Sequence, residues 1–75
     1  MAREVFPGII VDAQIVHGRP VIAGTRVPVE TVVGELAGGS SFEDIMREYH
    51  LTDEQIRAAL GYMTQLLSST TVYAA

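Results

Sequence analysis

Three stretches in the second half of the chain repeat apolar residues with the period of an amphipathic helix. In each stretch the apolar residues fall three and four positions apart, which places them on one helix face. The chain therefore predicts three helices that each bury one face. These faces consist of Val29, Val32, Val33 and Leu36; of Phe42, Ile45, Met46 and Tyr49; and of Ile56, Ala59, Leu60, Met63 and Leu67.

Capping residues mark the ends of the first two helices. Pro28 suits the first helical position because its ring fixes φ, and the glycines at 38–39 end the first helix. Either Ser40 or Ser41 can cap the second helix. An acid follows each serine three residues later, Glu43 after Ser40 and Asp44 after Ser41, although only the pairing with Glu43 fits the strict capping box.

The third helix has a cap of its own and follows the second helix after a short turn. His50 and Leu51 form that turn. Thr52 then caps the third helix, and Gln55 completes a capping box. A turn of this length between two helices has the dimensions of a helix-turn-helix unit.

The chain before Pro28 is predicted to be extended. Two short β-branched runs, at residues 9–11 and 21–23, flank a turn-rich tetrapeptide at 17–20. Pro20 cannot donate a hydrogen bond to a ladder, so it belongs at the start of a strand or on an edge. We therefore expect a β-hairpin or two short extended strands.

The predicted fold class is mainly α, with a three-helix helix-turn-helix bundle preceded by these short strands. We expect a single domain over residues 1–75. Within it, residues 1–27 form the extended segment, residues 28–67 the helical core and residues 68–75 a C-terminal tail. The tail begins where the helical pattern breaks into a run of serine and threonine.

Composition points to an interaction protein. The net charge is −4, with five arginines and no lysine. Nucleic-acid-binding domains usually carry a basic excess, whereas an acidic chain suits a basic protein partner. Hydrophobic residues make up 48% of a 75-residue chain without cysteines. Small chains of this kind commonly bury surplus apolar surface in an oligomer, so we expect a homodimer.

Several classes of function are not expected. The N-terminal residues lack the order of a signal peptide, and no apolar run approaches the roughly 20 residues that span a bilayer. We therefore expect a cytoplasmic protein without membrane contact. The two histidines, His17 and His50, have neither metal-ligand spacing nor cysteine neighbours, so no metal or cofactor is expected. A domain this small also has little room for an active-site pocket, and we expect no enzymatic activity.

The segment HGRPVIAGTRVP, residues 17–28, carries the densest pattern in the chain. Glycine can adopt positive φ, and threonine can hydrogen-bond to nearby backbone. We therefore expect five residues to shape turns in this segment: Gly18, Pro20, Gly24, Thr25 and Pro28.

The run at 18–30 resembles the hallmark of a bacterial family called domain of unknown function 433. The family pattern continues through the glycines at 38–39, the acidic second helix and the Leu-Thr that precedes the third helix, and Val72-Tyr73 resembles its usual tail. The resemblance covers residues 9–73. His17 stands where the family usually has glycine, which argues against a glycine-only backbone conformation there.

This resemblance implies a homeodomain-like, VapB-related antitoxin encoded beside a PIN-like ribonuclease toxin. We accordingly predict that Arg19, Arg26, Val72 and Tyr73 bind the toxin. The planar guanidinium of Arg26 suits a carboxylate, so it could compete with the metal ions held by the acidic cluster of the nuclease. The alternative is that Arg26 pairs with Glu30 and fixes the start of the first helix.

A second hypothesis is a transcriptional autoregulator that binds operator DNA through the helix-turn-helix. Gln55 and Arg57 are the candidate DNA-binding residues because their side chains can contact base edges in the major groove. Asp53 and Glu54 would then approach phosphates, which is unfavourable. The alternative is that this face of the third helix is only solvated.

Overall fold

Residues 1–69 are described in this computed structural model of the chain. They form a three-stranded antiparallel sheet followed by three helices, which confirms the prediction of three helices after N-terminal strands. The elements are β1 (Arg3–Phe6), β2 (Ile9–Val11), a single 3-10 turn (Val16–Gly18), β3 (Val21–Ile22), α1 (Val29–Ala37), α2 (Phe42–Tyr49) and α3 (Asp53–Ser69).

The sheet has the order β1-β2-β3, so each strand pairs with its neighbour in the chain. A tight turn joins β1 to β2, with Gly8 at φ +85° after Pro7. In the second pairing Ile9 lies opposite Ile22 and Ile10 opposite Val21. The strand β1 was not predicted, because Arg3–Phe6 contains too little apolar alternation to be distinguished from a loop.

The hydrophobic core lies between the sheet and the helices. Its centre comes from every layer of the fold, with β2, β3 and each helix contributing at least one side chain. Burying a side chain of this size contributes roughly 1.5–3 kcal/mol. The fully buried isoleucines and valine at this centre are Ile9, Ile22, Val32, Ile45 and Ile56, each at most 1% exposed.

The buried face of α3 is shorter than the sequence predicts. Leu67 is 70% exposed, so its prediction as a core residue is wrong, while Tyr62 is 8% exposed and packs in the core. The ring of Tyr62 lies 6.1 Å from that of Phe6, centroid to centroid. Every residue at 64–69 is exposed, because the last turns of α3 extend beyond the elements that cover its first half.

The helix α1 begins one residue later than predicted. Pro28 has an extended ψ of 146° and caps the helix instead of occupying its first position. It also forms a β-bridge with Val21. Its carbonyl oxygen still accepts a hydrogen bond from the Thr31 backbone N–H at 3.1 Å. The proline therefore ends the extended segment and starts the helix at the same time.

The cap of α2 is Ser41, one of the two serines that the sequence allowed, and its capping-box partner is Asp44. The Ser41 hydroxyl accepts from the Asp44 backbone N–H at 3.1 Å, and Asp44 accepts in return from the Ser41 backbone N–H at 3.2 Å. That second bond helps to hold the pKa of the Asp44 carboxyl below its ordinary value. Ser40 is used elsewhere, since its hydroxyl donates to Glu35 at 2.8 Å.

The capping box predicted for α3 is confirmed. Gln55 Oε1 accepts from the Thr52 backbone N–H at 2.8 Å, and Thr52 Oγ1 accepts from the Gln55 backbone N–H at 3.1 Å. Both bonds satisfy backbone donors that the first turn of a helix otherwise leaves free.

A left-handed turn leads into β3. Val16, His17 and Gly18 have φ values of 47°, 55° and 80°. Two i to i+3 backbone hydrogen bonds, both 3.1 Å long, close this turn. His17 thus adopts a backbone conformation that glycine favours, whereas the presence of histidine at this position had predicted a different conformation. Left-handed backbone costs a non-glycine residue roughly 1–2 kcal/mol.

We predict that His17→Gly stabilises the protein by about 0.5–1 kcal/mol, because the strain that it relieves exceeds the extra chain entropy of glycine. The measurement is the free energy of unfolding from urea denaturation. Gln14→Gly is the matched control, since Gln14 is also an exposed turn residue but has no positive φ. The control should lower stability, and equal effects of the two substitutions would contradict the strain at His17.

Candidate protein-interaction site

The strand β3 is the first arm of a tight hairpin. After Ile22 the chain reverses, and the Ile22 backbone N–H donates to the Val27 carbonyl at 3.0 Å. At the open end, the Val29 backbone N–H donates to the Pro20 carbonyl, also at 3.0 Å. The residues between the two arms, 23–26, form a closed loop, called the arginine loop below.

The arginine loop starts with a β-turn that requires glycine. The Thr25 backbone N–H donates to the Ile22 carbonyl at 3.0 Å, which closes the turn. Gly24 occupies its third position with φ +80°, as a type II turn demands. A Cβ at Gly24 would meet no atom within 4 Å. The glycine is therefore needed for its backbone conformation and not for space.

The side chain of Thr25 holds the rest of the loop in place. Its hydroxyl donates to the Ile22 carbonyl at 2.7 Å and accepts from the Val27 backbone N–H at 3.0 Å. One half-buried hydroxyl thus joins both arms of the hairpin. Arg26 lies between these two anchored residues, so its backbone position is fixed on both sides.

Arg26 is exposed and has no hydrogen bond or ion pair with any other residue of the described chain. The alternative pairing with Glu30 is not formed. Glu30 instead accepts a hydrogen bond from the Arg19 guanidinium. The arginine loop therefore presents a guanidinium with all of its donors available to a partner.

The structure does not bring Arg19 and Arg26 together. Arg19 precedes the open end of the hairpin and Arg26 is in the loop at its closed end, roughly 10–13 Å away along the strand direction. Arg19 has 59% of its side chain exposed, and its charge is already met by Glu30. The two other predicted toxin contacts, Val72 and Tyr73, lie outside the described residues.

The two candidate DNA-binding residues both have partners inside the chain. The side-chain oxygen of Gln55 accepts from the cap of α3, as described above. The Arg57 Nε donates to Asp53 at 2.7 Å, and its guanidinium lies 6.0 Å from the centre of the Phe42 ring. Arg57 remains 71% exposed, but contact with DNA would compete with its ion pair.

The remaining turn residues frame the hairpin. Gly18 closes the left-handed turn before it, and Pro20 and Pro28 lie on opposite arms near its open end. Within residues 1–69 no group of three metal-ligating side chains is close enough to hold an ion. None of the helices in that range is long and apolar enough to cross a membrane.

A groove of about 420 Å³ lies beside the arginine loop. We call it the loop groove. The sequence did not predict it, because its walls come from three segments that are far apart in the chain. They are the β1–β2 turn with Pro7 and Gly8, the start of the arginine loop with Ala23, and the first turns of α3 with Glu54, Gln55 and Ala58.

We predict that Thr25→Val lowers the free energy of unfolding by about 1–2 kcal/mol, because it removes two hydrogen bonds and leaves the Val27 N–H without its partner. Chemical denaturation measures the loss. Thr25→Ser keeps the hydroxyl and should stay much closer to the wild type. If serine and valine destabilise the protein equally, the hydroxyl does not hold the loop.

The sequence profile of a family described as "Protein of unknown function (DUF433)" matches residues 9–63. Two proteins of Mycobacterium tuberculosis are similar in sequence. One is the uncharacterized protein Rv2308, 32% identical over 59 residues, which are 79% of this chain and 25% of that protein. The other is named as a candidate antitoxin, VapB45, 35% identical over 52 residues, which are 69% of this chain and 22% of that protein.

The crystal structure of Rv2018 from Mycobacterium tuberculosis has a similar fold, with a TM-score of 0.64 and 35% identity. The similarity covers 69% of this chain and 24% of that one. The chain thus spans about a quarter of the length of these relatives. The matched residues 9–63 include the arginine loop and most of the helical core. The chain belongs to the DUF433 family.

Proposed function

We propose that this chain is the antitoxin of a toxin–antitoxin pair and that it binds and neutralises a PIN-like ribonuclease. The observation that carries the proposal is the exposed, unpaired Arg26 on a loop that Thr25 holds in one conformation. The similarity to a relative named as a candidate antitoxin supports the same function.

Arg26 has the chemistry that an inhibitor of such a nuclease needs. A guanidinium can donate two parallel hydrogen bonds to one carboxylate. A nuclease that holds metal ions with clustered acids offers that kind of acceptor, and an arginine bound there would compete with the metal. The fixed backbone of the loop lowers the entropy lost on binding. In this proposal the chain inhibits by occupying the site and performs no chemistry of its own.

Arg19, Val72 and Tyr73 complete the proposed contact as secondary residues. Arg19 would exchange its ion pair with Glu30 for one with the toxin, and exposed pairs of this kind contribute little. We therefore expect Arg19 to matter less than Arg26. Val72 and Tyr73 would add apolar contact from the tail.

Self-association is part of the same proposal. Leu67 is 70% exposed on α3, and the neighbouring Leu66 lines an apolar groove of about 190 Å³ together with Pro20, Val29 and Met63. A two-fold dimer could place the leucine of each copy against the groove of the other. Light scattering on the purified chain and on the toxin complex gives the stoichiometry. A monomer in both would contradict the dimer.

Operator binding is the second candidate function, because residues 50–52 join α2 and α3 at the spacing of a helix-turn-helix. The net charge of −4 and the ion pair of Arg57 oppose it. A mobility shift on the DNA upstream of the reading frame, at two salt concentrations, tests it. Binding that weakens steeply with salt would support this function, and no shift at either concentration would exclude it for the isolated chain.

We predict that Arg26→Ala weakens binding to the ribonuclease encoded by the adjacent reading frame at least about 30-fold, since a buried charged hydrogen-bond partner is worth about 2 kcal/mol or more. Co-expression should then fail to rescue growth from the toxin. Arg26→Lys should recover only part of the affinity, because it keeps the charge and loses the planar fork.

Arg3→Ala is the matched control, because Arg3 is also exposed and also has no ion pair within the described residues. It should leave affinity and growth rescue unchanged. A wild-type chain that forms no complex with the adjacent protein would reject the antitoxin function. A complex that Arg26→Ala leaves intact would reject only the role of Arg26.

A further inference from the structure

The loop groove lies directly beside the proposed toxin contact. Ala23 belongs to both, since it lines the groove and starts the arginine loop. A protein bound at Arg26 would therefore also cover the groove. The kind of side chain that the groove can bind therefore indicates the chemistry of that partner, and this inference rests on the proposed function.

The groove is largely apolar, with one ionisable side chain. Pro7, Ala23 and Ala58 supply apolar surface, and Glu54 lies at its edge. Glu54 is exposed and forms no hydrogen bond or ion pair with residues 1–69. Its neighbour Asp53 differs, because Arg57 already pairs with it at 2.7 Å. The groove is thus lined by a carboxylate that pairs with no cationic side chain in the described chain.

The side-chain oxygens beside Glu54 already accept hydrogen bonds within the cap of α3. Gln55 lines the groove, but its side-chain oxygen accepts from the Thr52 backbone N–H at 2.8 Å. Thr52 Oγ1 in turn accepts from the Gln55 backbone N–H. An anion in the groove would be repelled by the charge of Glu54, the one ionisable side chain of its lining. A cation would meet one free carboxylate.

We propose that the loop groove binds an arginine or lysine side chain of the same partner protein, with its aliphatic stem against Pro7 and Ala58 and its charged end on Glu54. Long basic side chains commonly bury their stems on apolar surface and keep the charge at a polar edge. The interface would then contain two ion pairs of opposite polarity. In one, Arg26 donates hydrogen bonds to an acidic residue of the partner, and in the other Glu54 accepts them from a basic residue of the partner. The net charge of −4 favours the approach of a basic surface to the chain as a whole.

The test uses the full chain and the ribonuclease of the adjacent reading frame. We expect Glu54→Gln to weaken the complex about 10-fold and Glu54→Lys about 100-fold or more, in the range of close charge pairs across interfaces. Glu43 provides the matched control, because it is exposed and holds the second position of α2 as Glu54 does in α3. Glu43→Lys should change affinity less than about 3-fold.

Equal losses from Glu43→Lys and Glu54→Lys would overturn the inference, because only the overall charge would then matter. Thermal unfolding of both variants checks that they fold. Since the two sites share the helix-dipole effect, their stabilities should fall equally.

A photo-reactive benzoylphenylalanine at Ala58 identifies the occupant. We expect cross-links to a segment of the ribonuclease that contains an arginine or lysine, and replacing that residue by glutamate should restore binding to the Glu54→Lys variant. Cross-links to a second copy of this chain, to an acidic segment, or to nothing would each overturn the proposal. In those cases a wild-type complex that still depends on Arg26 would leave the antitoxin function standing. Failure of the wild type to form any complex would reject both.

Discussion

The burial of β3, a strand of two residues, supports both the fold and the candidate site. Val21 and Ile22 are at most 1% exposed, and the strand bonds on one side to β2 and on the other to the segment that starts α1. The arginine loop leaves this strand and α1 follows the loop. The position of Arg26 relative to the helices therefore depends on the packing of β3. The hydrogen bond from the Ala23 backbone N–H to the Gly8 carbonyl and the packing of Val27 against the core also hold the loop.

The charged residues fall into two groups with different physical roles. Three of the five arginines form ion pairs, namely Arg19 with Glu30, Arg47 with Asp44 and Arg57 with Asp53. These pairs are exposed and contribute little to stability. Arg26 and Glu54 have no such partner in the described chain. Glu54 lines the loop groove, and Arg26 belongs to the loop that begins at the groove with Ala23. Charges left unpaired beside an apolar groove are suited to an interface, where a partner can supply the opposite charge in a desolvated setting.

The turn chemistry of the site could be predicted because it acts over three or four residues. Gly24 and Thr25 shape the arginine loop through bonds to Ile22 and Val27, all within one short segment. The partner of Glu30 could not be predicted in this way. The spacing of four residues favoured Arg26, but the closed loop turns Arg26 away, and the hairpin brings Arg19 to Glu30 from eleven residues earlier.

The sequence by itself determined the three helices, the cap of α3, the glycine of the arginine loop and the membership in the family. The helices, the cap and the glycine turn depend on residues within about two helical turns of each other, and the family match is a series of such short motifs over residues 9–63. A periodic pattern or a motif therefore contains them. Only the tertiary structure decided that β1 completes the sheet, that Tyr62 and not Leu67 enters the core, and that Glu54 lines a groove with Pro7. Each of these depends on which distant segments pack together. The pattern of residues along the chain does not specify which part of one element contacts another.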